Sequence, residues 1–220
     1  MTNQKEIITV INLIKKEIRK YNNSLMDKVS KEDKNPFKVL ISCLLSLRTR
    51  DETTDIVAEN LFKKASTAKE LSEINIKKLE SIIKPVNYYK TKAKRIKDIS
   101  NIIWKKYNSK VPDTRNELMK LKGVGPKTSA VVLTYGFDND EYIATDTHMH
   151  RIPNRLGWIK TKKPEDTEKE LKRIIPRRYW IDLNNNFVTF GKKVCMPVSP
   201  FCSKCPVYKY CSRVNIKISR

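Results

Sequence analysis

Two side chains have surroundings suited to covalent and acid–base chemistry, Lys127 and Asp146, and four cysteines near the C-terminus suit a metal group. Lys127 lies in Leu121-Lys122-Gly123-Val124-Gly125-Pro126-Lys127-Thr128, just inside an expected helix start. A helix N-terminus carries positive potential, and Lys122 and Arg48, if near, add to it. That field favours the neutral, nucleophilic amine. The plainer alternative is a lysine that binds phosphate. Asp146 stands in Thr145-Asp146-Thr147-His148 and suits an ordinary N-cap. A capping carboxylate can also be held rigidly beside a reacting centre. His148 and His150 are the two histidines. Their i, i+2 spacing does not share a helix face, which argues against a metal pair.

Four of the five cysteines are Cys195, Cys202, Cys205 and Cys211, in the spacing C-x6-C-x2-C-x5-C. Four thiolates on one short coil can hold a [4Fe–4S] cluster. Zinc is a weaker alternative, because its sites usually pair ligands as two close doublets and only Cys202 and Cys205 do so here. Two disulfides are the remaining alternative, disfavoured in a reducing compartment. Cys43 sits among apolar residues and reads as core.

The hairpin must be held by helices on both sides. Thr114 suits an N-cap, and Glu117 three residues on would close a capping box. Leu118, Leu121 and Val124 share one side. Pro126 fits the first position of the next helix, which runs through Ala130, Val131 and Leu133 and stops at Gly136. Gly123 and Gly125 suit positive φ and a close approach by a bulky partner. Outward N–H groups at such a turn attract phosphate. A plain αα-corner with a glycine turn is the alternative; Lys127-Thr128 and the charge of the chain favour DNA.

The rest reads as helices, with no sustained period-two alternation, internal repeat or low-complexity run. Ile7, Ile11, Ile14 and Ile18 line one face of a first helix. Residues 22–35 are polar and loop-like. Asn35-Pro36 opens a helix that is apolar nearly all round and therefore central. Asp51 suits the N-cap of the next helix. Short helices follow around 68–71 and 76–83, then the loop Pro85-Val86-Asn87-Tyr88-Tyr89 with exposed aromatics. A longer helix begins near Thr91. Residues 137–145 connect to a helix capped by Asp146, within which Pro153 predicts a kink near Met149 or an early end. Another helix spans about 166–175, and one more leads to Gly191.

The 220 residues carry 46 Lys+Arg against 24 Asp+Glu, a formal net charge of +22. A field of that sign makes nucleic acid the expected partner, with a membrane surface the weaker reading. No apolar run is long enough to span a bilayer, and the start Met1-Thr2-Asn3-Gln4 is not followed by a secretory apolar stretch. A cytoplasmic, DNA-associated chain is expected.

The hairpin, the Asp146-Thr147-His148 triplet and the cysteine spacing together resemble the endonuclease III family, helix-hairpin-helix DNA glycosylases of base excision repair. Leu44-Leu45-Ser46 through Asp51 is similar to the family's segment near the lesion pocket. The resemblance covers roughly residues 30–212. It implies an all-α fold of two lobes. One is a six-helix barrel over about 29–139, with its helix-hairpin-helix at about 114–135. The other is discontinuous, about 1–28 with 140–220, and carries the [4Fe–4S] cluster. It implies a monomer acting on double-stranded DNA with damaged bases or abasic sites. Lys127 would attack C1′ of an oxidised pyrimidine nucleotide, and β-elimination from the Schiff base would nick the strand. Asp146 would stabilise the developing sugar cation. Arg48 and the Val86-Asn87-Tyr88 loop would fill the space left by the extruded base, and Lys122, Gly123, Gly125 and Thr128 would contact DNA. The four cysteines would ligate a structural cluster. Arg48 stands where many relatives have glutamine, and Tyr88 where an aliphatic residue is common. The loop between Cys195 and Cys202 lacks the family's basic residues, leaving Lys192, Lys193 or Lys204 to meet phosphate. A monofunctional mismatch-specific glycosylase and a non-catalytic iron–sulfur DNA-binding protein are the rival readings. The lysine at position 127 argues against both.

Overall fold

The computed structural model describes residues 3–21 and 35–220. The polar loop expected over 22–35 lies outside these residues except for Asn35. Every regular element among the described residues is helical. The chain divides into two compact units, one built from both ends of the sequence and one from its middle.

The terminal unit contains α1 (Gln4–Ile18), α9 (Thr147–Leu156), α10 (Pro164–Ile174) and α11 (Trp180–Lys193), followed by a cysteine-bearing coil. Asn3 caps α1 by accepting from the Lys5 N–H. The α1 isoleucines at 7, 11, 14 and 18 are all buried, as the spacing demands. They pack with Met149, Ile152, Leu171, Leu183, Phe187 and Phe190 in one core. Of the two outcomes expected of Pro153, a kink or an early end, the early end is not seen. The helix runs on to Leu156 and closes at Gly157, which has φ +82. Two local bonds support the turn around the proline: Asn154 Nδ2 donates to the His150 carbonyl at 2.7 Å, and the Trp158 N–H donates to the Pro153 carbonyl at 3.0 Å.

Gly191 sets how closely α11 approaches α9. A Cβ there would lie 2.2 Å from His148 Nδ1 and 3.0 Å from an Arg151 guanidinium nitrogen. Arg151 also donates to the Gly191 carbonyl at 3.2 Å and to the Cys195 carbonyl at 2.9 Å. Gly191→Ala is therefore expected to displace both side chains and cost about 1–3 kcal/mol by overpacking. A melting temperature unchanged from the parent would refute this.

The middle unit contains α2 (Pro36–Ser46), α3 (Asp51–Phe62), α4 (Ala68–Glu73), α5 (Ile76–Ile82), α6 (Tyr89–Lys106), α7 (Arg115–Met119) and α8 (Pro126–Val131). Asn35 accepts from the Phe37 and Lys38 N–H groups and starts α2, which is buried along most of its length. Arg50, not Asp51, is the N-cap residue of α3, and no side chain caps it there. Asp51 and Glu52 lie in the first turn instead, where negative charge meets the helix dipole. Thr67 and Glu70 form a full capping box on α4. Lys97 of α6 donates to the Ser72 and Ile74 carbonyls, both at 2.6 Å, and so closes the far end of α4. After Val131 the last helix widens into one π-type turn, Val132–Gly136. Its closing Gly136 lets the chain lie against Pro36, where a Cβ would come within 2.8 Å of the Pro36 Cα.

Candidate functional site

The hairpin joining α7 to α8 is built as its residue types require, with two differences. Thr114 Oγ1 accepts from the Glu117 N–H, but the Glu117 carboxylate turns to the Tyr107 hydroxyl at 2.8 Å and to Lys120. These two donors hold it below the usual carboxylate range, Lys120 first. Gly123 has φ +90, a conformation that favours glycine. Gly125 does not: its φ is −102. Open space lies where its Cβ would be, so glycine there leaves the outer side clear for an approaching backbone. The Arg95 side chain of α6 lies against Gly123. Arg115 reaches the Pro126 carbonyl at 3.3 Å, and the Ser129 N–H bonds the Gly125 carbonyl at 2.9 Å. Leu118, Leu121 and Val124 are buried beneath.

Lys122 and Lys127 are exposed on this rigid turn, while Thr128 is buried. Lys127 occupies the second residue of α8, directly after the N1 proline. Its charge acts on the buried Cys43 of α2. Burial pushes the Cys43 thiol up to about 12, with Lys127 opposing. The Lys127 amine is thus carried at a helix start and open to solvent.

Two further loops of the same unit carry sequence-expected residues, and the structure brings them together. Arg48 leaves α2 with φ 55, and Tyr88 precedes α6 with φ 58. Both are exposed, Tyr88 at 62%. Asn87 bridges the loops: its side chain donates to the Arg48 carbonyl, and its N–H donates to Thr49 Oγ1 at 3.2 Å. Val86 is buried at 2% and anchors its loop from below, so the exposed group of this loop is Tyr88 with Asn87.

Asp146 belongs to the terminal unit. Its Oδ1 accepts from the His148 and Met149 N–H groups at 2.9 and 2.8 Å, a complete N-cap for α9. The connector behind it is rigid. Ile143, Ala144 and Thr145 are buried, and Asn184 of α11 donates to the Ala144 carbonyl at 2.7 Å. The carboxylate itself is half-buried.

Cys195, Cys202, Cys205 and Cys211 line one apolar cavity with Phe190 and Val207. Arg155, itself 9% exposed, points an N–H at Cys195 Sγ at 3.5 Å. It also donates to the Met196 and Pro197 carbonyls, both at 2.6 Å. The Arg213 N–H points at Cys211 Sγ at 3.4 Å. Burial pushes the Cys205 thiol up to about 12 and raises that of Cys211, and the neighbouring cysteines add to both. Four anionic sulfurs in an apolar cavity need a compensating cationic core, and N–H groups aimed at sulfur suit thiolates already bonded to one. Four cysteines around one cavity, with N–H groups directed at two of their sulfurs, are a donor set that fits a sulfur-ligated group. None of Lys192, Lys193 and Lys204 is buried, and Lys193 sits 6.0 Å over the Tyr21 ring.

Lys92 and Arg155, both buried, escaped the sequence reading. Each is one of 46 basic residues, and nothing in its local pattern separates it from a solvated one.

An all-helical scaffold with a glycine hairpin, an exposed lysine at its second helix and a four-cysteine coil defines the helix-hairpin-helix class of DNA-repair proteins. Residues 41–177 match the HhH-GPD superfamily of base excision DNA repair proteins. Endonuclease III of Thermotoga maritima is 44% identical over 180 residues, 82% of this chain and 84% of that protein. Endonuclease III-like protein 1 of Gallus gallus is 37% identical over 171 residues; the match covers 77% of this chain and 61% of that longer protein. A solved structure of a trapped endonuclease III–DNA covalent intermediate, an estranged-adenine complex, superposes with a TM-score of 0.84 at 32% identity, covering 97% of both chains. The chain belongs to the endonuclease III family. Among the described residues no helix is long and apolar enough to cross a membrane.

Proposed function

We propose that this chain is a bifunctional base excision repair enzyme that removes oxidised pyrimidines from double-stranded DNA and nicks the resulting abasic site. The observation that carries the reading is Lys127: an exposed amine at the start of α8, on the hairpin, in a chain 32% identical to an endonuclease III trapped covalently on DNA. The damaged nucleotide leaves the stack to reach such an amine. Neutral Lys127 Nζ attacks C1′, and the glycosidic bond breaks with its electron pair leaving on the base, which takes up a proton. Loss of the amine proton and ring opening yield the Schiff base. Removal of a C2′ proton then expels the 3′ phosphate, and hydrolysis returns the lysine. Asp146, locked by its two cap bonds, stabilises positive charge developing on the sugar and accepts the proton that Lys127 loses.

Arg48 and Tyr88 enter the duplex and occupy the space of the extruded base, with Asn87 holding their loops together. Lys122 and the backbone of Gly123 and Gly125 meet phosphate, and the protein acts as a monomer in the cytoplasm. Cys195, Cys202, Cys205 and Cys211 hold a [4Fe–4S] cluster, whose contribution when bound is to cross-link the coil. Cys205→Ser is expected to lose the visible iron–sulfur absorption and to lower the melting temperature by several degrees. Retention of both would rule out Cys205 as a ligand.

The test of the reading is borohydride reduction in the presence of duplex DNA holding one thymine glycol or one abasic site. A covalent protein–DNA adduct is expected. Base release without an adduct would replace this reading with the monofunctional one. Salt-dependent binding with neither would leave only a DNA-binding scaffold.

A further inference from the structure

Lys92, on the first turns of α6, is 4% exposed and has no role in the chemistry above. Its ammonium donates to the Leu45 carbonyl at 2.6 Å, the Leu47 carbonyl at 2.7 Å and Thr49 Oγ1 at 2.9 Å. An ammonium has three N–H donors, so all are used, and all on neutral oxygens. Leu45 and Leu47 lie at the C-terminal end of α2, where carbonyls are left without helical partners. No basic residue stands in the last turn of α2, so Lys92 supplies from α6 the positive charge that this helix end lacks. Thr49 Oγ1 is shared: it accepts from Lys92 and from the Asn87 N–H. Asn87 in turn reaches the Arg48 carbonyl. One buried cation thus connects the loop carrying Arg48 to the loop carrying Tyr88.

Both loops need such support. Arg48 and Tyr88 are non-glycine residues at positive φ, a conformation that persists only where the surroundings determine it. Burying a lysine without a carboxylate is itself unfavourable. Burial, with a smaller contribution from the Arg95 charge, brings the Lys92 ammonium down to about 8. An apolar residue of similar length would serve packing better. What the apolar residue lacks is the three-way tie between α2, residue 49 and the Asn87 loop.

We propose that Lys92 is a positioning residue that holds Arg48 and Tyr88 in the backbone conformations from which they probe DNA, so that opening of the duplex depends on a lysine that touches no DNA. The inference rests on the assignment of Arg48 and Tyr88 as the groups that enter the duplex. The probe is a duplex with a tetrahydrofuran abasic analogue opposite 2-aminopurine, whose fluorescence rises when it is unstacked. The variant is Lys92→Met, compared with the parent holoenzyme and with an Arg48→Ala/Tyr88→Ala double variant. Lys92→Met is expected to bind undamaged duplex within about threefold of the parent at the same salt. It is expected to lose most of the fluorescence rise on that probe and, on a separate duplex holding a natural abasic site, about 10–100-fold in single-turnover nicking, as misplacement of a supporting shell does. Should Lys92→Met fail to fold, Thr49→Val carries the test. It removes the shared oxygen with little change of shape, and about a 3–10-fold loss of rate with a reduced rise is expected.

A parental rise and rate in Lys92→Met or, if that variant does not fold, in Thr49→Val, would overturn the positioning role. So would a loss of undamaged-duplex binding in step with the rate, which marks general damage to the fold. A double variant that keeps the full rise would refute the assignment of Arg48 and Tyr88, and the inference with it. A rise lost in the double variant but kept in Lys92→Met would refute the role of Lys92 alone.

Discussion

Lys127→Ala is expected to leave no borohydride-trapped adduct and to lower nicking at an abasic site by on the order of 10³-fold or more, about 4 kcal/mol of transition-state stabilisation. The size follows from covalent catalysis. Without an amine at this position no Schiff base forms, and elimination falls back to whatever the bound DNA does unaided. Folding should be almost untouched. Lys127 is exposed at the second position of α8, where alanine is a good helix former, and the hairpin core is made by Leu118, Leu121 and Val124. An internal consequence is expected at Cys43, where loss of the opposing charge pushes the thiol further up. Affinity for undamaged duplex should fall only by the share of one cation among the +22, and the slope of binding against salt by about one unit. Nicking at the parental rate by Lys127→Ala would remove Lys127 from the chemistry.

The second large effect is expected at Asp146, and the substitution that reads it cleanly is asparagine. Asp146 does two jobs that alanine would remove together. As the N-cap of α9 it satisfies the His148 and Met149 N–H groups, and replacing such a cap by alanine costs about 0.5–2 kcal/mol. Asparagine caps about as well as aspartate, through the same Oδ1, while removing the negative charge. Asp146→Asn is therefore expected to melt close to the parent, yet to release damaged bases about 10²–10³-fold more slowly, because the developing sugar cation loses its counter-charge. Asp146→Ala should lose both activity and stability. If Asp146→Asn kept activity within about threefold of the parent, the residue would be a cap and nothing more.

Local rules accounted for much of this molecule before any tertiary contact was known. Asn35-Pro36 starts α2, Asp146 caps α9, and four isoleucines in α1 turn to one side, because capping and helical periodicity depend on residues within one or two turns of each other. The same locality explains the misses. Asp51 is a sound cap by type, yet the chain enters α3 one residue earlier and uses Asp51 in the first turn. Gly125 is extended and does not need positive φ. An early end of α9 at Pro153 is not seen: Asn154 bonds back to the His150 carbonyl, and the helix closes only at Gly157.

What the sequence determined by itself was the all-helical class, the hairpin with its lysine, the capped aspartate and the cysteine coil, each written in residue types at short range. Only the tertiary structure decided that Val86 is an anchor while Tyr88 projects, that Arg155 stands behind Cys195, and that Lys92 joins two loops more than 35 residues apart. The physical reason is that burial and hydrogen-bond partnership of a long cationic side chain are set by what other segments bring to it. In a chain so rich in lysine and arginine, composition cannot mark the few whose charge lies inside.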